Sequence, residues 1–136
     1  MTKRLAPILL LVLLTACASL GGPRHVATVT VVTSHSILAA LQDGSRALYC
    51  GAATAPAAPA CIDDALRRTI ASNLVTAFDL DAQVARTVRA APADGSLPTG
   101  IADLVGQIAA LVDKIFAAIP ASPQRATLVA QIGGRQ

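Results

Sequence analysis

Aromatic residues are scarce in this chain of 136 residues, which has no Trp and carries Tyr49, Phe78 and Phe116 as its only rings besides two histidines. That scarcity excludes the stacking platforms on which proteins hold single-stranded nucleic acid, and it excludes aromatic sugar-binding surfaces. Glutamate is missing too, so all eight acidic residues are aspartates, and with the abundance of Ala this points to a GC-rich genome more than to a chemistry. An excess of one charge is also lacking. The formal net charge is +3, and without Lys3 and Arg4 nine basic residues face eight aspartates, a net +1 that is too small for a nucleic-acid partner. His25 and His35 do not share the four-residue spacing that puts two metal ligands on one helix face. In Ser34-His35-Ser36 adjacent side chains point apart on a helix, and no Asp is placed by sequence to complete a triad. Asp79 and Asp81, two apart, diverge in the same way. Neither a Gly-rich phosphate loop nor an internal repeat is present. The sequence therefore predicts no catalytic residue, no metal and no cofactor.

The first seventeen residues are the most specific part of the chain. Lys3 and Arg4 form a basic start, and Leu5 to Leu14 follow as an apolar run broken only by Pro7. About ten residues are too few for a bilayer core that needs about 20, so this is the apolar region of an export signal. It ends in Leu14-Thr15-Ala16-Cys17, which resembles the lipobox of bacterial lipoproteins. The resemblance implies a signal peptide over residues 1–16, cleavage before Cys17, diacylglycerol on the Cys17 sulfur and a fatty acyl group such as palmitate on the new amine. Residues 17–24 would then be the lipidated N-terminus with a short tether, and 25–136 one helical domain. The alternative is an ordinary cleaved signal in which Cys17 is incidental. Ala18 and Ser19, rather than Asp, follow the Cys. By the sorting pattern of the Gram-negative family members this predicts an outer-membrane lipoprotein facing the periplasm; in a Gram-positive host it would sit on the outer face of the cytoplasmic membrane.

With Cys17 lipidated, Cys50 and Cys61 are left as an even pair in an oxidising compartment, across the Ala- and Pro-rich stretch 51–60. A disulfide is expected there, tying the end of one helix to the start of the next. Neither a Cys-x-x-Cys spacing nor a nearby His favours a redox or metal role.

Hydrophobic periodicity predicts an all-α fold, an antiparallel three-helix bundle with a short C-terminal fourth helix. The first helix is expected over about 27–49, with Val31, Ile37, Leu38, Leu41 and Leu48 on its apolar face and small Ser34 and Ser45 on the same stripe. The β-branched run Val26 to Thr33 leaves a short strand as an alternative at its start. The second is expected over about 62–91, with Ile62, Leu66, Ile70, Leu74, Ala77, Leu80, Val84 and Val88 facing the core. Asp63 and Asp64 suit its positive N-terminal end, each with an Arg four residues on. Asn73 and Asp81 fall on the flanks of its apolar stripe, where an unpaired polar group costs about 1–3 kcal/mol, so both should find partners. The third helix is expected from Thr99, as N-cap, to Pro120, on a stripe of Ile101, Leu104, Val105, Ile108, Leu111, Val112, Ile115, Phe116 and Ile119. Ser122 and Pro123 read as cap and first turn of the fourth, which runs to Ile132.

Arg67, Arg68, Arg86 and Arg89 fall within about a third of the second helix's circumference. This is either a solvated face or an interaction face for anionic headgroups or an acidic envelope protein, since Arg pairs bidentately with phosphate and carboxylate. The stretch from His35 to Asp43 with Ala47-Leu48-Tyr49 also looks like small helical lipoproteins of phages and mobile elements. That likeness implies no activity and keeps phage-related roles in view. The expectation is thus a non-enzymatic envelope lipoprotein, held to the membrane by its lipid anchor and acting as a structural or protein-binding subunit. The alternative is a small lipid- or ligand-binding periplasmic module, which would carry a cavity between its helices.

Overall fold

A computed structural model of the chain describes residues 5–92 and 96–133, with side chains described for Gly22 and from Arg24 onward. Four helices follow one another: α1 (Leu5–Ala47), α2 (Asp64–Ala90), α3 (Ile101–Ala118) and α4 (Pro123–Gly133). No strand is present among the described residues; Tyr49 and Ile62 alone form an isolated bridge. The all-α expectation holds and the helices pack as a bundle. Among the described residues no helix is long and apolar enough to cross a membrane.

The start of α1 lies far ahead of the position that periodicity predicts. The backbone is helical from Leu5 and breaks at Gly22, whose φ of 74° and ψ of 167° only glycine adopts readily. Pro23 explains the site of the break, because a proline disfavours the helical conformation in the residue before it. The backbone of the segment 17–24 is helical up to Gly22. The β-branched run 26–33 is helix, not strand, and its hydroxyls bond back to the preceding turn: Thr28 Oγ1 donates to the Arg24 carbonyl and Thr30 Oγ1 to that of Val26. Lys3 and Arg4 and the side chain of Cys17 lie outside the described residues.

Caps account for the other helix ends. Asp63 rather than Ile62 opens α2, with its carboxylate accepting from the Leu66 N–H at 2.8 Å, a contact worth about 1 kcal/mol. The expected four-residue ion pairs are replaced by one at three-residue spacing, Arg67 to Asp64 at 3.1 Å. At α3 the expected Thr99 cap is wrong: Gly100 occupies the position at φ 100° and offers no side chain to the first turn. Ser122 caps α4 as predicted, its Oγ accepting from the Arg125 N–H at 3.1 Å.

α2 is the central element, packed against α3 and, less extensively, against α1. Its predicted stripe holds: Ile62, Ile70, Leu74, Ala77, Val84 and Val88 are buried, with Leu66 and Leu80 half-buried. From α1, Leu38 and Leu41 are fully buried, and Ile115 and Ile119 complete the core from α3 and its C-cap. Burial of each such side chain stabilises the fold by about 1.5–3 kcal/mol. The stripe of α3 is less covered than its regularity suggests. Within the helix only Ile108 and Ile115 are buried, and the rest of the stripe is half-buried. One neighbour cannot cover an apolar arc this wide, and α3 meets α1 only slightly. α4 packs against α1 at Gly44, where any Cβ would collide with the side chain of Leu128. Ser45 beside it is fully buried and donates to the Gln42 carbonyl.

Candidate polar cleft between α1 and α2

Where α1 crosses α2, a cleft of about 440 Å³ is lined by Val31, Val32, Phe78, Ala82 and Ala85, with His35, Asp81 and Arg89 as its polar members. Asp81 is the centre of the site. Its side chain is 5% exposed, and its two oxygens have different partners: Ser34 Oγ donates to one, and His35 Nδ1 lies 3.1 Å from the other. This is the partner that the flank position of Asp81 called for. Asn73, on the opposite flank, stays half-buried and has no side-chain hydrogen bond among the described residues.

Ser34, His35 and Asp81 have the composition of a hydrolytic triad but not its connectivity. In a triad the serine proton passes to the imidazole and the carboxylate orients that imidazole from behind. Here Ser34 and His35 both address the carboxylate, and no imidazole is set to take the serine proton. His35 Nδ1 faces Asp81, and its ring meets Phe78 edge to face with centroids 5.6 Å apart. The arrangement clamps α1 to α2. Ser34 Oγ also lies 3.0 Å from the Val31 carbonyl, so its proton has a second acceptor.

That alternative acceptor separates two substitutions. Asp81→Ala is expected to lower unfolding free energy by about 1–3 kcal/mol, because it removes the shared acceptor of the interhelical contact. Asp81→Asn is expected to cost less than about 1 kcal/mol. Its amide can donate to Ser34 Oγ while that hydroxyl turns to Val31, and its carbonyl still accepts from His35. Urea unfolding of the two variants checks this, and equal losses would refute the clamp.

The four arginines of the expected interaction face fall into two pairs along α2. Arg67 and Arg68 lie at the start of α2 and Arg86 and Arg89 near its end, about 30 Å apart at 1.5 Å per residue. Arg67 pairs with Asp64 and sets its guanidinium 5.9 Å from the Tyr49 ring centre, and Arg68 is exposed. Arg89 lines the cleft, its Nε donating to the Ala85 carbonyl, and Arg86 is exposed one turn earlier. At the other end of the α1–α2 pair, Cys50 and Cys61 are joined as expected, with Cα atoms 5.0 Å apart. Cys50 N–H donates to the Ile62 carbonyl and Ile62 N–H to that of Leu48, so the two helix ends are tied by backbone as well as by sulfur.

Sequence reasoning singled out Ser34, Asp81 and the Ser34-His35-Ser36 stretch separately and did not join them. The available signal was a small polar residue on the stripe of α1 and a charged one on the flank of α2; pairing them needs the register between the helices. Among the described residues no three His, Cys, Asp or Glu side chains are placed to share a metal ion. Comparison of the chain with protein-family models, with curated proteins and with solved structures finds no match.

Proposed function

We propose that this chain is an envelope lipoprotein, tethered through acylated Cys17 and acting as a non-enzymatic structural or protein-binding subunit. The observation that carries the reading is a buried apolar core whose few buried polar groups are satisfied within the protein. Buried polar side-chain atoms among the described residues all have partners, and the cleft's polar groups bond chiefly to one another. Such a molecule works through its faces. The same reading takes α1, α2 and α3 as an antiparallel bundle, supported by the short connections and the Cys50–Cys61 tie. It takes the outer membrane, facing the periplasm, as the address, with a phage-related role consistent with the sequence likeness.

Photocrosslinking in the native host tests it, with a reactive side chain replacing Ser72 on α2 or Gln107 on α3, both exposed. A discrete protein adduct from either position is expected. The second reading, a small lipid- or ligand-binding module, rests on the open cleft between α1 and α2. It would replace the first if neither position gave an adduct and the purified protein retained bound lipid.

A further inference from the structure

Of the arginines of the α1–α2 pair that make no ion pair among the described residues, Arg24, Arg86 and Arg89 lie toward one end and Arg68 toward the other. Tyr49 faces Ile62, and Ser34 with His35 faces Asp81, so moving back along α1 corresponds to moving forward along α2. Continuing in that direction brings Arg24 and His25 to the end that carries Arg86 and Arg89. The cleft lining makes the same juxtaposition, with Val32 of α1 beside Ala85 and Arg89 of α2. Among the described residues the ion pairs are His35–Asp81, Arg46–Asp43 and Arg67–Asp64, and none engages Arg24, Arg86 or Arg89. Two of the most exposed large aliphatic side chains belong to this end, Val29 at 44% and Val32 at 64%. Cys17 lies only seven residues before Arg24.

We propose that this end is a docking surface for an anionic phospholipid leaflet. The proposal rests on the lipoprotein reading of Cys17. Six residues between Cys17 and Arg24 reach at most about 20 Å when extended, and less as helix. The acylated N-terminus thus delivers Arg24, Arg86 and Arg89 to within contact of headgroup phosphates, and Val29 and Val32 to the boundary with the acyl chains. Guanidinium groups suit phosphate because they donate two parallel hydrogen bonds. Acyl anchoring and a basic patch are the two signals that together hold a protein to a membrane surface. At the opposite end Arg46 and Arg67 are matched to aspartates and Arg68 alone makes no ion pair among the described residues, so docking through the three arginines fixes the orientation of the bundle and presents the disulfide-tied end away from the membrane.

The test uses the acylated chain in vesicles of phosphatidylcholine with and without phosphatidylglycerol, with an environment-sensitive unnatural side chain at Val32 or, at the opposite end, at Thr54. Position 32 is expected to be quenched by nitroxide-bearing lipids when phosphatidylglycerol is present and released by high salt, while position 54 stays unquenched. The triple variant Arg24→Gln, Arg86→Gln, Arg89→Gln should lower the docked-to-undocked ratio by on the order of a hundredfold. Equal quenching at the two positions, quenching indifferent to phosphatidylglycerol, or an unaltered triple variant would overturn the proposal. Labelled-palmitate incorporation decides the lipoprotein reading separately. If Cys17 carries no acyl chain, co-sedimentation of the unacylated chain with the same vesicles takes over, and docking stands only if the arginine variant binds more weakly.

Discussion

A chain carrying Cys17→Ser is expected to incorporate no labelled palmitate and to leave the membrane fraction altogether. The thioether needs a sulfur, and serine offers none. Each buried CH₂ contributes about 0.8 kcal/mol, and one acyl chain binds only marginally and reversibly, so several chains on one residue make attachment effectively all or none. The basic end of the α1–α2 pair alone gives only a weak, salt-sensitive attachment that fractionation does not retain. Folding should be indifferent to the change, because the described core begins at Val26 and Ala27, well after Cys17. Fractionation with palmitate labelling, beside thermal unfolding of the same variant, reads both consequences. A wild-type chain without label would reduce residues 1–16 to an ordinary signal and remove the lipoprotein reading.

The second large effect belongs to the disulfide. Replacing Cys50 and Cys61 together by serine is expected to lower unfolding free energy by about 3 kcal/mol on the chain-entropy model, for a bridge spanning 11 residues of sequence. For a domain of this size that corresponds to a Tm lower by roughly 10–20 °C, measurable by circular dichroism, with the reduced wild type shifted equally. The location makes the effect more than local. The bridge and the two backbone hydrogen bonds beside it set where α1 hands over to α2, and that handover sets the register in which Ser34 and His35 meet Asp81. The Asp81 clamp should therefore loosen with the bridge, seen as faster hydrogen exchange in the middle of α1. A loss below about 1 kcal/mol would mean that the Cys50 and Ile62 backbone bonds hold the junction unaided.

Ile70, Leu74, Ala77, Val84 and Val88 are legible as core from their spacing alone, and Ser122 as a cap from the proline that follows it, because both signals are properties of one helix. The Cys50–Cys61 pair was legible by elimination. Less was legible at the boundaries. Thr99 loses the cap of α3 to Gly100, and α1 runs through a β-branched segment in which the hydroxyls of Thr28 and Thr30 bond to the turn before.

Helical content, the apolar faces, the disulfide and, through Leu14-Thr15-Ala16-Cys17, the expectation of a membrane anchor are thus all local properties of the chain. Only the tertiary structure decided which polar residues meet. Asp81 needed a partner, yet nothing local to α2 names Ser34 and His35, 47 and 46 residues away. Nor does periodicity reveal that Gly44 admits Leu128 or that α3 is half-covered. Periodicity is set by the 3.6-residue turn within one helix, whereas the register and separation between helices come from packing whole side-chain surfaces together, a property of the assembled chain.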